Sequence, residues 1–449
     1  MPKITFIGAG STIFLRHILG DALLMPSLQD AEIALMDIDE GRLAESDFVA
    51  RQLADTLKVG ASIEATTSRR AALDGADFVI VSVQIGGYKP CTVADFDIPK
   101  QSGLRQTSAD TLGIGGIMRG LRTVPFLWDL CADMAELCPH ALMLQYVNPM
   151  AINCWAISER FPDIRTVGLC HSIPNTVFEL THDLDIPMED VRYRVAGINH
   201  VAFFLNFEQR MGNGGWRDLY PELRQKYADK VIPKENPVRP RCPNLVRYEM
   251  MDQLGYFLTE SSEHFAEYCP WFIKDGRDDL IERYGIPLDE YPTRCEEQIA
   301  EWNDRFARLR AGEQMDIVAS NEYAAVIMNA EMTDSPATIY GNVRNEGVIS
   351  NLPSDCIVEV PCMVDSNGIQ PTSIGALPPQ LAAMMLTNIH VQELVGAAVV
   401  VSTQRSPAFG GVLFRCQSLS SSSSSSSIIK RNSTASWTSS AYNPRRAGS

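Results

Sequence analysis

Residues 1–40 hold the feature that most restricts how this chain can fold. Lys3-Ile4-Thr5-Phe6-Ile7 reads as a short apolar strand, and Gly8-Ala9-Gly10-Ser11 turns the chain at its end. Ile33-Ala34-Leu35-Met36 reads as a second apolar strand, and it ends on Asp37. Two apolar strands joined by a glycine turn and a helix form a βαβ unit, which needs a parallel sheet with helices on its faces. The layout also suits a dinucleotide. Glycines let the backbone approach a pyrophosphate, the helix N-terminus favours its charge, and the acid bonds the ribose hydroxyls. Gly8, Gly10, Ser11, Thr12 and Asp37 are therefore candidate cofactor-binding residues. Ile13 stands where the full fingerprint has a third glycine, so a purely structural turn remains an alternative. Asp37 favours NAD over NADP, while Asp39 and Arg42 leave room for a 2′-phosphate contact.

The alternation continues. Strand-like runs recur at 77–82, 141–147 and 166–169, with helical patterns between them such as Thr123 to Leu137. Each run ends in a polar or glycine-rich turn: Gln84-Ile85-Gly86-Gly87, Asn148-Pro149, Cys170-His171. Ligands of doubly wound sheets sit beyond the carboxyl ends of the strands, so these turns converge on one place. Past residue 195 the pattern is less regular, with helical stretches at 243–254, 294–311 and 380–398 and strand-like runs at 337–340 and 356–360. The reading is an α/β protein. A Rossmann-like doubly wound parallel sheet occupies 1–195, and a C-terminal α+β domain at 196–402 is expected to close over the cofactor.

Composition narrows the partners. The net charge of -16 argues against nucleic acid. No apolar run reaches the ~18 residues of a membrane span, and the first strand starts too early for a signal peptide. Eleven cysteines without a CxxC pair read as reduced cytoplasmic thiols. Residues 403–449 differ in kind. They hold six Lys or Arg, no acid, and the serine run 420–427, which leaves -22 on the first 402 residues. Such a segment cannot bury enough apolar surface to order itself.

Three further segments carry chemistry. Cys170 and His200, thirty residues apart, offer a thiolate and an imidazole to a divalent metal; equally, each suits a packed core. Asp110 to Arg119 is glycine-rich and opens a helix, as an anion or sugar-hydroxyl contact or as a lid hinge. Glu260 to Tyr268 crowds acids, a His and a Tyr, as in sugar recognition, acid–base work or a solvated face.

Taken in order, GAGS (8–11), MDID (36–39), QIGGY (84–88), DTLGIGGIMR (110–119), YVNPM (146–150), GLCHS (168–172), GINH (197–200), TESSEHFAEY (259–268) and YGNVRN (340–345) resemble glycoside hydrolase family 4, and within it the bacterial α-galactosidases. The likeness runs to about residue 400. It implies hydrolysis of terminal α-galactosides, melibiose-like, with NAD and Mn(II) as cofactors. In that scheme carbon 3 of the sugar is oxidised, the carbon 2 proton is removed, the aglycone is eliminated and water adds back. The resemblance makes Cys170 and His200 the metal ligands, Tyr268 the base, with Tyr256 nearby in sequence, Asn148 a substrate contact and His171 the candidate acid. It also implies a cytoplasmic homo-oligomer, dimer or tetramer, acting on small-molecule glycosides. An α-glucosidase or α-galacturonidase, or an NAD-linked 2-hydroxy-acid dehydrogenase, are the alternatives. The Ser/Arg-rich tail departs from the family and reads as disorder or a shifted reading frame.

Overall fold

A computed structural model describes residues 1–405, apart from 213, 233–235, 316 and 318. Nearly all of the 403–449 tail lies outside the described residues. Among these residues twelve strands form one continuous sheet. β1 (Lys3–Ile7), β2 (Glu32–Met36), β3 (Ser62–Thr66), β4 (Phe78–Val81), β5 (Leu142–Gln145) and β6 (Thr166–Gly168) run parallel in the order β3-β2-β1-β4-β5-β6. The order reverses between β1 and β4, so the carboxyl ends of these two strands flank the crevice.

Alternation along the strands explains the two covered faces. Ile4, Phe6, Ile33, Leu35, Leu142 and Leu144 feed one core, while Ile7, Ala34, Met36, Val79, Val81 and Met143 feed the other. A strand apolar on both faces must be covered twice, and helices from the intervening segments supply the cover.

The sheet then turns antiparallel. β7 (Val191–Ile198), β8 (Val201–Arg210), β9 (Trp216–Asp218), β10 (Ala337–Arg344), β11 (Ile357–Asp365) and β12 (Gly368–Pro371) complete it. β10 joins β6 at Asn342↔Gly168, β11 joins β7 at Glu359↔Gly197, and β12 flanks β11. The α/β reading with a doubly wound parallel half holds.

Three differences from the sequence reading have physical causes. The helix expected from Thr123 begins at Gly113 and runs to Leu137. Its glycines have poor helix propensity, but Gly115, Gly116 and Gly120 are buried, and packing overrides propensity. The β7–β8 hairpin shows no clean alternation because its central residues are buried on both faces. The helix Pro379–Arg405 is, over Pro379–Val400, long and apolar enough to cross a membrane, contrary to expectation. One face of it packs inside the protein, where Leu381, Met385, Ile389, Val395 and Val399 are buried, while Leu394 on another face is exposed.

Candidate active site

The glycine turn is built around Asp37. Gly8 N and Ala9 N both donate to Met36 O at 2.9 Å, closing β1 onto β2. Gly10 N donates to Asp37 Oδ2 at 2.8 Å, and Asp39 N to Asp37 Oδ1 at 2.9 Å. A Cβ on Gly10 would lie 2.7 Å from Asp37 Oδ2, so only glycine leaves the carboxylate in place. Gly8 has φ +87°, and a Cβ there would meet Ser82 O at 2.8 Å. Arg42 donates from Nε and Nη2 to Gly10 O at 3.0 and 2.7 Å. That fork is committed to the backbone, which removes the sequence argument for a 2′-phosphate contact. Ser11 N caps the turn by donating to Gly8 O, and Thr12 opens the first helix. A turn that a single Cβ would fill, beside an oriented carboxylate, fits a dinucleotide.

The carboxyl ends of β5 and β6 place Asn148, Cys170 and His171. The β7–β8 hairpin carries His200 at its two-residue tip, and the β11–β7 pairing holds that hairpin beside the parallel half. His200 has φ +64° and is buried, a conformation non-glycine residues adopt only when the surroundings impose it. The sequence-predicted pair meets: Cys170 Sγ lies 3.3 Å from His200 Nε2. Glu260 Oε2 joins them at 3.4 Å from the same nitrogen. These three ligand atoms lie within 4.8 Å of one another, as do those of a second group, Asp110, His200 and His264.

The other face of His200 is bonded. Its Nδ1 is 2.9 Å from Thr111 Oγ1 and 3.2 Å from the Tyr268 hydroxyl. Thr111 donates to Asp110 Oδ1 at 2.8 Å, and Asn148 Nδ2 donates to Asp110 Oδ2 at 3.0 Å. Asn148 and Tyr268 therefore belong to one cluster with the Cys–His pair. Tyr256 packs instead near Tyr220, with ring centroids 6.2 Å apart. His171 sits at the cluster's edge, Nδ1 3.5 Å from Glu322 Oε1.

Electrostatics show what the cluster lacks. Burial, then the charges of Glu260 and Glu359, push the Cys170 thiol well above its usual pKa. Burial, then Asp110 and Glu267, do the same to Tyr268. Burial lowers His200. A thiol, an imidazole and a carboxylate that converge in an acid-rich setting fit a divalent cation, whose charge would favour the thiolate and which binds the imidazole in its neutral form. Burial works against charge on His264, but Glu260, Asp110 and Glu263 outweigh it and hold its pKa well above the usual value. Burial likewise works against His171, and Glu322 outweighs it.

Sequence reasoning passed over several participants. Asp110 and Thr111 lie inside the segment it read as glycine-rich, and Glu260 and His264 inside the one it read as crowded with polar groups, but none of the four was given a role. Glu359 carried a readable signal, an acid inside the apolar run 356–360. Glu322 and Arg239 carried none.

The description "Family 4 glycosyl hydrolase" matches residues 3–186, and "Family 4 glycosyl hydrolase C-terminal domain" matches 195–406. An alpha-galactosidase of Bacillus subtilis (strain 168) is 45% identical over 400 residues, 89% of this chain and 90% of that protein. The crystal structure of a putative glucosidase lplD from Bacillus subtilis superposes with a TM-score of 0.79 at 26% identity, covering 93% of this chain and 94% of that one. A 6-phospho-alpha-glucosidase from gut microorganisms, solved in complex with NAD and Mn2+, gives a TM-score of 0.75 at 23% identity, covering 92% and 93%.

Proposed function

The chain belongs to glycoside hydrolase family 4, and we propose that within it this protein is an α-galactosidase hydrolysing terminal, melibiose-like α-galactosides. One observation carries the reading: Cys170, His200, Tyr268 and Asn148, from four separate segments, meet in one cluster beyond the strand ends. The 45% identity to an alpha-galactosidase favours a galactoside over the α-glucosides and α-galacturonides otherwise open.

In this reading Gly8, Gly10, Ser11, Thr12 and Asp37 hold NAD, and Cys170 and His200 hold Mn(II). When bound, the dinucleotide would supply reversible hydride chemistry for carbon 3 of the sugar, and the metal would supply Lewis acidity. The chain's own residues move the protons. Tyr268, held by its hydroxyl to His200 Nδ1, takes the proton from carbon 2. His171, whose pKa Glu322 raises against the opposing effect of burial, gives a proton to the departing oxygen. Asn148, aimed by its bond to Asp110, holds a sugar hydroxyl. Elimination across carbons 1 and 2 and addition of water complete the reaction without net oxidation. Residues 1–195 form the cofactor half and 196–402 the substrate half. None of the ten described cysteines is in a disulfide, which supports the cytoplasm, where a homo-oligomer would work with Cys170 reduced.

Purified protein and an aryl α-galactoside test the reading, with NAD+, Mn(II) and a thiol reductant each present or omitted. Hydrolysis should need all three. Turnover indifferent to NAD+ and metal would overturn the elimination chemistry, and steady NADH build-up on a 2-hydroxy acid would favour a dehydrogenase.

A further inference from the structure

We propose that Glu260 is a third protein ligand of the metal, joining Cys170 and His200. The inference rests on the reading that those two residues hold a divalent ion.

Two groups of ligand atoms share His200, and its ring decides between them. Nδ1 is engaged by Thr111 and Tyr268, which leaves Nε2 as the ligating nitrogen. Around Nε2 stand Cys170 Sγ at 3.3 Å and Glu260 Oε2 at 3.4 Å. His264 cannot complete the set, because its own nitrogens face carboxylates and a hydroxyl. Nδ1 lies 2.7 Å from Ser261 Oγ and 3.4 Å from Glu260 Oε1, and Nε2 lies 3.8 Å from Asp110 Oδ2.

The two oxygens of Glu260 have separate neighbourhoods. Oε1 receives the Ser261 hydroxyl at 3.3 Å and faces His264 Nδ1 at 3.4 Å and Arg239 Nη2 at 3.9 Å. Oε2 faces the His200 imidazole at 3.4 Å, and a carboxylate oxygen of Glu260 lies within 4.8 Å of the Cys170 and His200 ligand atoms. A carboxylate whose outer oxygen is fixed by hydrogen bonds while its inner oxygen points at the other donors is the usual arrangement of a ligating acid. The plainer role, a counter-charge for His264 and Arg239, accounts for Oε1 alone; Oε2 sits 3.4 Å from His200 Nε2, the nitrogen left free to ligate. The backbone agrees: Glu260 has φ +65°, matching His200 at +64°, so both side chains are aimed at the cost of an unfavourable conformation. The chemistry follows from the donor set. A thiolate and a carboxylate together offset a 2+ charge, and the oxygen donor moves a Cys–His pair away from zinc and towards manganese.

The test is a Mn(II) titration of reduced protein, with free ion read by electron paramagnetic resonance. Glu260→Gln should weaken binding by at least ~10-fold, the scale seen when a ligand's support is lost. Glu260→Asp, which keeps the charge for His264 and Arg239 but shortens the reach, should weaken it less and still measurably. Circular dichroism checks the fold, and the Asp variant carries the test if the Gln variant does not fold. Cobalt(II) gives a second readout: the thiolate charge-transfer band should persist in Glu260→Gln while the ligand-field bands change. Wild-type Mn(II) affinity in both variants, or an unchanged ligand-field spectrum, overturns the assignment. Cys170→Ser separates the two claims, since wild-type affinity there would overturn the underlying metal reading instead.

Discussion

Gly10→Ala is the sharpest probe of the cofactor turn, because the structure sets its cost. A Cβ at this position lies 2.7 Å from Asp37 Oδ2 and 3.0 Å from both Asp37 Cγ and Arg42 Cβ. A methyl and an oxygen need about 3.3 Å, so the carboxylate must retreat by about 0.5 Å or more. The Gly10 N–Asp37 bond, now 2.8 Å, then stretches past the useful range of about 3.2 Å. Gly10 is not among the residues with positive φ, so alanine brings no backbone strain, and the loss is confined to one charge-assisted bond and the aim of the acid. Such a bond contributes ~1.5–3 kcal/mol. If most of that falls on the bound dinucleotide, its Kd rises ~10–100-fold. Calorimetric titration with NAD+ measures this, and Mn(II) affinity, set by residues on other elements, should stay near wild type. Gly8→Ala is the contrast: it adds φ +87° to a 2.8 Å approach to a backbone oxygen, so it should lower Tm as well as affinity. An NAD+ Kd within about twofold of wild type for Gly10→Ala would refute the assignment of Asp37 as the cofactor's anchor.

Other expectations follow from the same coordinates. Tyr268→Phe should abolish turnover while NAD+ and Mn(II) still bind, and wild type should show a primary isotope effect with deuterium at carbon 2; full activity in the variant would remove Tyr268 as the base. Thr111→Val deletes the hydroxyl at His200 Nδ1 and should weaken Mn(II) binding ~10-fold, with Thr111→Ser restoring it. Arg247→Leu leaves buried Glu179 unpaired and should cost ~3–5 kcal/mol in denaturant unfolding, far more than an exposed pair such as Arg277–Asp279. Glu359, buried with Oε2 unbonded among the described residues, is pushed up to about 8 by burial, with Glu260 adding to it. Its folded pKa exceeds the unfolded value, so the unfolded chain releases the proton first and stability falls as pH rises from about 4.5 to about 8. In chelator-treated protein, Glu359→Gln should flatten that fall, a few kcal/mol at most; an unchanged pH slope would count against it.

The parallel half was legible because local pattern and fold agree there. Apolar runs of four to seven residues, each closed by a polar turn, gave β1, β2, β4, β5 and β6 to within about two residues. β3 escaped because only partial burial marks it: Ser62, Glu64 and Ala65 are exposed. The β7–β8 hairpin escaped for the opposite reason. Phe203, Phe204 and Phe207 are all fully buried, which hides the period of two. Its tip was nevertheless flagged, since Asn199-His200 stood out as chemistry before it stood out as a turn.

The site was legible where a residue type was rare in its setting, and opaque where only space connects the parts. A cysteine at a strand end and a histidine thirty residues on were visible as types, but 3.3 Å is a property of the β11–β7 pairing that carries the hairpin to β6. Glu260 lay in a segment with two other acids, and nothing in the order of residues singles it out. Its positive φ does, and so does the division of its oxygens between Arg239 on one side and His200 on the other. That division also bears on the glycine turn. Taken alone, a strand, a glycine turn and Asp37 describe any dinucleotide oxidoreductase. A thiol, imidazole and carboxylate at the end of the same sheet suit a metal ion acting as a Lewis acid beside that cofactor, which an NAD-linked 2-hydroxy-acid dehydrogenase does not need.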